Sequence, residues 1–323
     1  MKPIKFHPIL KETIWGGDRI SHFKSDLNSD SKSIGESWEI SGLEGSESVV
    51  SDGEYRGMSL RELIRLKGES LVGKRSIERF GDEFPILVKF IAAHEDLSIQ
   101  VHPSTPLAKE LHNSHGKSEM WYVVDAEPGS RLYCGLKRKL KREEYLNVIE
   151  HGEITGYMNA YDVTRGDVFY IPAGTLHSIG KGVLIAEIQE PSDITYRIFD
   201  YNRLDKWGKP RKLHIENARR ALNFSASNNK LFNNEGVENS PIELISIPEF
   251  STSLHYTTTR ETLKPSLIGS FIFVTVIEGS LSITTDSDSP TNLNRGESAL
   301  IPASCQEAVV TPTPTAKYIS CHI

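Results

Sequence analysis

The fold of this chain is decided by three segments that lie between residues 98 and 177. They read Ser98-Ile99-Gln100-Val101-His102-Pro103, Lys117-Ser118-Glu119-Met120-Trp121-Tyr122-Val123 and Arg165-Gly166-Asp167-Val168-Phe169-Tyr170-Ile171-Pro172-Ala173-Gly174-Thr175-Leu176-His177. Their apolar runs, bounded by Gly and Pro, favour strands. Side chains two apart on a strand leave the same face, which predicts that Gln100 and His102 point together. We expect these two side chains, Glu119 and His177 to converge on a metal ion.

The last of these segments has a second copy further along the chain. Residues 165–174 match residues 295–304, and continuing that register places Glu307 opposite His177. The shared Ile-Pro-Ala turn is typical of jelly-roll (cupin) barrels. The second copy has no counterpart of the other three candidate ligands. The sequence therefore predicts a mainly β protein of two jelly-roll (cupin) barrels, with a few short helices attached to the N-terminal catalytic barrel and a metal-free C-terminal barrel.

Helical patterns in the sequence are few and short. Ser59 and Glu62 have the spacing of a capping box at the start of a helix. Thr105 is predicted to cap a second helix, because the proline that follows it suits the first helical position. Residues 141–149 and 212–224 also have apolar side chains at helical spacing. These four short helices are the ones that the pattern predicts.

The domain boundary is predicted within the polar, Asn-rich stretch 225–240. After this stretch the chain consists of Thr-, Val-, Ile- and Ser-rich runs separated by turn residues, which favours strands. We therefore expect a catalytic, metal-binding cupin domain with short helices over residues 1–233. A C-terminal, metal-free, cupin-like β domain is expected over residues 234–323.

Bulk properties exclude several classes of protein. A length of 323 residues suits two domains, and the net charge of -6 is dispersed without a basic run, which disfavours nucleic acid as a partner. No apolar run is long enough to span a bilayer, and the first residues lack the apolar core of a signal peptide. Three widely separated cysteines suit a reducing compartment. We expect a cytoplasmic protein without a membrane partner.

The metal site depends on the combination of residues, since a single His or Glu on a strand usually has a structural role. A carboxylate that points into an apolar barrel is unfavourable unless a positive charge meets it. Two imidazoles, one carboxylate and one amide oxygen suit Zn²⁺ and leave room for water or substrate oxygens. The same set suits non-haem iron, so the donor types alone leave both metals open.

Two cationic residues accompany the candidate ligands. Arg197 lies within a strand-like run between Tyr196 and Ile198. It has two interpretations: an arginine on an exposed strand face paired with Glu190 or Asp200, or a fixed cation that stabilises an oxyanion or a phosphate. Lys117 lies two residues before Glu119 and would share its strand face if the strand is regular. It is either a surface lysine or an acid/base or electrostatic group beside the metal.

Taken together, the motifs resemble those of the type I mannose-6-phosphate isomerases. The resemblance is close over roughly the first 220 residues, loose in the C-terminal barrel, and greatest to the short bacterial branch that lacks a large helical insertion. The motifs that carry it are Trp15-Gly16-Gly17, Phe84-Pro85-Ile86-Leu87-Val88-Lys89, Leu97-Ser98-Ile99-Gln100-Val101-His102-Pro103, Gly116-Lys117-Ser118-Glu119-Met120-Trp121, Ile171-Pro172-Ala173-Gly174-Thr175-Leu176-His177 and the stretch from Glu187 to Arg197.

The resemblance implies a role for each matching residue. One zinc ion per chain would be held by Gln100, His102, Glu119 and His177. Arg197 would be the catalytic arginine, with Lys117 and Glu187 as the candidates for proton transfer. The substrate pocket would also include Lys89 and Ser98, which match positions linked to the phosphate, and Asp193 and Trp15, which match positions on its wall and edge.

The function that the resemblance implies is the interconversion of mannose 6-phosphate and fructose 6-phosphate through a cis-enediol. Its small-molecule partner would be a phosphosugar, and the expected assembly is a monomer or a weak homodimer. One alternative is a non-catalytic sugar-binding or regulatory cupin that uses the same barrel and metal. An iron-dependent oxygenase is a further alternative, because two His and a carboxylate also serve that chemistry.

Overall fold

We describe a computed structural model of the chain. It covers residues 1–24, 27, 33–205, 207–285 and 289–323. Strands dominate and pair antiparallel throughout, in two barrel-like halves, which confirms the predicted mainly β cupin architecture.

The N-terminal half contains two facing sheets. The larger sheet has the strand order β1-β2-β5-β12-β7-β10-β14, and the smaller has the order β13-β6-β11-β8-β9. Two short strands, β3 and β4, pair only with each other among the described residues. The strands are β1 (Ile9–Gly17), β2 (Ile34–Ile40), β3 (Gly42–Leu43), β4 (Ser46–Glu47), β5 (Leu87–Ala92), β6 (Ile99–Val101), β7 (Glu119–Ala126), β8 (Arg131–Leu136), β9 (Met158–Asp162), β10 (Asp167–Ile171), β11 (His177–Ile179), β12 (Val183–Gln189), β13 (Tyr196–Phe199) and β14 (Lys230–Asn233).

The C-terminal half is a separate sheet with the central order β15-β16-β21-β18-β19, to which β17 and β20 add by pairing with β21 and β18. Its strands are β15 (Ile242–Ser246), β16 (Ser251–Thr257), β17 (Glu261–Leu263), β18 (Ile272–Thr284), β19 (Thr291–Asn294), β20 (Ser298–Ile301) and β21 (Ala308–His322). The change of sheet falls between Asn233 and Ile242, close to the predicted domain boundary. The division into 1–233 and 234–323 stays a prediction.

The helices are short, as predicted, although several begin at other residues. They are α1 (Arg19–Phe23), α2 (Leu60–Lys67), α3 (Glu69–Val72), α4 (Lys74–Phe80), α5 (Thr105–His112), α6 (Tyr145–Glu150), α7 (Ile215–Ala221) and α8 (Pro265–Ile268). The capping box at α2 is confirmed, because Ser59 and Glu62 bond each other's backbone N–H groups. The predicted cap of α5 was wrong by one residue: Ser104 precedes the helix and Thr105 is its first residue. The pattern for α6 began four residues before the observed helix, and the pattern for α7 extended by three residues beyond each end.

One apolar cluster joins the two halves. It combines the outward side of the larger N-terminal sheet, for example Phe90 and Tyr122, with Phe271, Phe273 and Ile319 of the C-terminal sheet. The opposite side of the larger sheet faces the lumen of the N-terminal barrel, where the candidate ligands lie. No helix of the described residues is long and apolar enough to cross a membrane.

Candidate metal centre

Three candidate ligands meet in the lumen of the N-terminal barrel. His102, Glu119 and His177 each offer a ligand atom, and these atoms all lie within 4.8 Å of one another. His102 follows β6, Glu119 begins β7 and His177 begins β11, so three separate strands aim them at one point. All three side chains are buried. The ladder fixes their register, because His177 pairs directly with Gln100 and Glu119 pairs with Ile171.

Backbone carbonyls determine which nitrogen of each imidazole can bind a cation. His102 Nδ1 lies 2.8 Å from the Ile194 carbonyl oxygen, and His177 Nδ1 lies 2.9 Å from that of Thr175. A carbonyl oxygen only accepts, so each Nδ1 carries the proton and each Nε2 keeps its lone pair for the centre. Burial, together with the Lys117 ammonium, lowers the pKa of His102 to about 4, and burial also lowers the pKa of His177. Both imidazoles are therefore neutral, as metal ligands must be.

The Glu119 carboxylate is ionised despite complete burial. Burial by itself raises its pKa, but the Lys117 ammonium holds the pKa well below the usual range. Its Oε1 lies 2.7 Å from Lys117 Nζ and 3.1 Å from His102 Nε2, yet it accepts no well-aligned hydrogen bond among the described residues. A buried anionic oxygen beside two imidazole lone pairs fits a divalent cation.

The fourth predicted ligand, Gln100, lies beside the group. Its Nε2 is 3.3 Å from His177 Nε2, and its Oε1 accepts a hydrogen bond of 3.2 Å from Ser98 Oγ. Rotation of the amide by half a turn would place Oε1 towards His177, and the Ser98 hydroxyl can accept as well as donate. Ligation by Gln100 stays a prediction that this geometry permits.

A cavity of about 320 Å³ opens beside the ligand group. Every predicted catalytic and substrate-binding residue lines it, together with Gln100. They are Trp15, Lys89, Ser98, Lys117, Glu187, Asp193 and Arg197. Residues far apart in the sequence thus share one wall, although the role of each stays a prediction.

Lys117 reaches this wall in a different way from the one predicted. The strand begins at Glu119, so Lys117 lies in the preceding loop rather than on the strand. Its side chain is nevertheless buried and contacts both Glu119 and His102, with 3.3 Å between its Nζ and His102 Nε2. The surface interpretation of Lys117 is wrong.

Glu187 and Lys89 form a buried ion pair on the same wall. Lys89 Nζ lies 3.1 Å from Glu187 Oε1 and 3.7 Å from Glu36 Oε2. Burial alone would lower the pKa of Lys89, but these two carboxylates outweigh it and raise the pKa. The indole of Trp38 holds the Glu36 carboxylate with a hydrogen bond of 2.6 Å. Lys89 is therefore a permanently charged group whose charge is already balanced.

Arg197 keeps its charge available to the cavity. Its Nε donates to Ser98 Oγ at 3.2 Å and its Nη1 donates to the Lys212 carbonyl at 3.1 Å. Among the described residues no carboxylate forms an ion pair with it, whereas Arg203 and Arg211 both pair with Asp200. Burial, and then the nearby Arg211, lower the pKa of Arg197. An anion beside Arg197 would relieve this repulsion.

Sequence reasoning missed several residues of the wall, namely Lys11, Thr13, Glu36, Trp38, Trp121 and Arg211. Trp121 had a signal, because it lies two residues after Glu119 on the same strand face. Glu36 and Trp38 had none, since they reach the cavity only through the pairing of β2 with β5.

Comparison with known proteins identifies the family of this chain. The profile described as phosphomannose isomerase type I, catalytic domain, matches residues 4–127. The mannose-6-phosphate isomerase ManA of Bacillus subtilis is 39% identical over 216 residues, which is 67% of this chain and 66% of that relative. A second Bacillus subtilis relative, YvyI, is 32% identical over 318 residues and 97% of both chains. The chain belongs to the type I phosphomannose isomerase family.

The fold agrees with this family over the whole chain. The crystal structure of the mannose 6-phosphate isomerase from Bacillus subtilis superposes with a TM-score of 0.87, at 30% identity and with 100% of both chains covered. The family resemblance predicted from the motifs is confirmed. Type I phosphomannose isomerase membership and the His-Glu-His group together support a bound metal ion.

Proposed function

We propose that this protein is a metal-dependent aldose–ketose isomerase that interconverts mannose 6-phosphate and fructose 6-phosphate. One observation supports this most: Lys117, Glu187 and Arg197 line a single cavity, and Lys117 also contacts the candidate ligand Glu119 directly. A binding protein needs a metal and a pocket, but it has no use for buried acid/base groups against the ligands. Family membership and the relatives named for this reaction give independent support.

The metal in this proposal is one zinc ion per chain, held by His102, Glu119, His177 and the amide oxygen of Gln100. When bound, such an ion supplies positive charge that polarises a carbonyl and holds adjacent oxygens. The remaining work falls to the protein's own side chains, which must orient the sugar and move a proton between two carbon atoms.

The proton transfer needs one group that takes a proton from C2 of the aldose and returns it to C1. The hydroxyl proton on O2 moves to O1 through the cis-enediol, so that atoms and charge balance. Lys117 and Glu187 are the two candidates, since both are buried on the cavity wall. Glu187 is fixed by Trp121 and Lys89, whereas Lys117 is fixed by Glu119 and His102.

The negative charge that develops on the enediol oxygens, or that the phosphate carries, requires a fixed cation. Arg197 suits this task because Ser98 and Lys212 fix its guanidinium and no carboxylate of the described residues neutralises it. One well-placed donor of this kind contributes about 3 kcal/mol or more to a transition state. Asp193 and Trp15 complete the proposed sugar pocket.

A coupled assay tests the function. Purified protein is given mannose 6-phosphate, and ketose production is followed before chelation, after chelation and after zinc is returned. We expect activity that disappears with the chelator and recovers with zinc. Absence of chelator-sensitive ketose production would contradict the isomerase, and tight sugar phosphate binding without turnover would indicate the sugar-binding cupin. Activity that iron restores, together with consumption of oxygen, would indicate the oxygenase.

We further propose that the enzyme works in the cytoplasm as a monomer or weak homodimer, with a phosphosugar rather than a nucleic acid or a membrane as its partner. Cys134 and Cys321 are buried thiols, which suits a reducing compartment. Sedimentation of the purified chain across a range of concentrations measures the assembly directly.

A further inference from the structure

The indole of Trp121 contacts two carboxylates at once. Its Nε1 donates to Glu119 Oε2 at 3.1 Å and to Glu187 Oε2 at 2.8 Å. All three side chains are almost completely buried. The indole N–H carries a single proton, so the donor is shared between the candidate metal ligand and the candidate acid/base group.

Sharing this donor orients both carboxylates. With Oε2 of each held by the indole, the other oxygen of each faces a different group: Glu119 Oε1 faces Lys117 and His102, and Glu187 Oε1 faces Lys89. Neither Oε1 accepts a well-aligned hydrogen bond among the described residues. The indole therefore turns one oxygen of Glu119 towards His102 and Lys117, and one oxygen of Glu187 towards Lys89.

Trp121 also packs against a second candidate ligand. Its ring meets the His177 ring edge-on, with centroids 5.4 Å apart and an angle of 78° between the planes. The Thr175 carbonyl fixes the other edge of that imidazole. A substitution of Trp121 would therefore affect two candidate ligands, Glu119 and His177.

The matching position in the C-terminal barrel indicates that the indole accompanies the carboxylates. Trp121 pairs with Glu187 in the N-terminal barrel, and the equivalent pair of the C-terminal barrel is Val274 with Ser320. The carboxylate pair is absent there, and so is the indole. The indole and the carboxylates are thus present together in one barrel and absent together in the other.

We infer that Trp121 is a positioning residue that couples the metal-binding carboxylate to the carboxylate of the substrate pocket. Loss of its N–H frees both carboxylates to rotate, which weakens metal binding and slows turnover while substrate affinity changes little. The turnover part rests on the proposed function, whereas the metal-binding part does not.

The test replaces Trp121 by Phe, which keeps a buried aromatic ring and removes the donor. Wild-type and W121F protein are loaded with Co²⁺, whose visible spectrum reports ligand orientation, and metal affinity is measured by competition with a chelator. We expect an altered cobalt spectrum and metal binding weaker by about 10- to 100-fold, as for other groups that orient a metal ligand. With mannose 6-phosphate, kcat falls by a similar factor while KM changes less than about threefold.

A matched control is Tyr122→Phe. Tyr122 lies next to Trp121 on the opposite face of the same strand, and its hydroxyl donates to the Asn234 carbonyl, away from the lumen. Y122F also removes one donor from a buried aromatic residue. We expect its cobalt spectrum, metal affinity and kcat to match those of the wild type.

A measurement on the wild-type chain keeps the inference testable if W121F does not fold. The chain has four tryptophans, so indole ¹⁵N labelling gives four side-chain N–H resonances. Variants of Trp15, Trp38 and Trp207 assign three of them, and the fourth belongs to Trp121. We expect that resonance to shift most when metal is added.

Two results would overturn the inference. One is a folded W121F with the cobalt spectrum and metal affinity of the wild type, and the other is a Trp121 resonance that metal leaves unmoved. If the protein binds metal as expected but does not isomerise the sugar phosphate, the proposed function fails while the role of Trp121 in metal binding stands.

Discussion

The two barrels place different residues at matching points of the same strand ladder. In the N-terminal barrel Glu119 pairs with Ile171, just before the Ile-Pro-Ala turn, and in the C-terminal barrel Ile272 pairs with Ile301 at the same turn. An ionised carboxylate in one lumen thus corresponds to an isoleucine in the other. The backbone pairing is shared, and the chemistry of the lumen is not.

The position of His177 differs between the two barrels in the same way. His177 pairs with Gln100 inside the N-terminal barrel. One step beyond the β17–β21 ladder, the matching residues are Lys264 and Glu307, which form an ion pair of 3.0 Å with both side chains about half exposed. Two candidate ligands in one barrel therefore correspond to an ordinary surface pair in the other.

The C-terminal lumen also contains polar groups, but they satisfy one another. His255 bonds Ser320 Oγ at 2.9 Å and Glu261 at 3.0 Å, and the Tyr318 hydroxyl donates to the same carboxylate at 2.7 Å. In the N-terminal lumen one oxygen of Glu119 and one of Glu187 remain without a well-aligned partner among the described residues. Among the described residues, the buried carboxylate oxygens without a hydrogen bond lie in the N-terminal lumen alone, which fits a barrel that binds a cation.

The largest expected effect is that of a Glu→Gln substitution in the N-terminal lumen, compared with the same substitution in the C-terminal barrel. Glu119→Gln keeps the shape of the side chain and removes the charge that a cation needs, so we expect loss of bound metal and a fall in turnover of at least about 100-fold. Metal content by elemental analysis and the coupled assay measure this. Glu261→Gln in the C-terminal barrel should change neither quantity, and full metal content in the Glu119 variant would refute the assignment.

Arg197→Ala separates catalysis from metal binding within the N-terminal barrel. We expect kcat to fall by about 10²- to 10³-fold, because one fixed donor beside a developing negative charge is removed. Metal content should not change. Arg131, which forms an exposed pair with Asp162, provides the control substitution. Turnover within a factor of two of the wild type would end the catalytic assignment of Arg197.

The two barrels should differ in how much an ion pair contributes to the free energy of unfolding. Lys89→Met leaves the buried Glu187 without its partner, at an expected cost of about 3–5 kcal/mol in the free energy of unfolding. Lys264→Met removes half of an exposed pair, which costs about 1 kcal/mol or less. Urea denaturation of both variants measures the difference. Equal losses would contradict the contrast between a buried and a surface pair.

The smallest effect concerns acid stability of the C-terminal barrel. Burial alone would raise the pKa of Glu261, but hydrogen bonds from His255 and Tyr318 hold it below its usual value. A lowered pKa in the folded state stabilises the protein above the pKa of the unfolded chain, and this contribution is lost as the pH falls through the folded pKa. Unfolding free energies between about pH 6 and about pH 3 should therefore fall less steeply for Glu261→Gln than for the wild type. Identical slopes would contradict this role.

The sequence predicted the parts of the site that local spacing determines. Strand alternation predicted that Gln100 and His102 share a face, and Glu119 and His177 were predicted from their places at the start of an apolar run and after the Pro-Ala-Gly turn. Trp38 could not be predicted, because it reaches Lys89 only through pairing between distant strands.

Two further features of the site depend on side-chain contacts that no local pattern encodes. Arg211 lies at the cavity because Asp200 holds its guanidinium. The donor shared by Trp121 likewise depends on side-chain rotamers, because strand alternation predicts only the sheet face from which the indole projects.

The central claim is that one of two related barrels binds a metal and the other does not. The most direct test is a crystal of the zinc-loaded protein, measured for anomalous scattering at the zinc edge. We predict one strong peak per chain among His102, Glu119 and His177, and none in the C-terminal barrel. A peak in the lumen beside His255 and Glu261, or the absence of a peak at Glu119, would contradict this account.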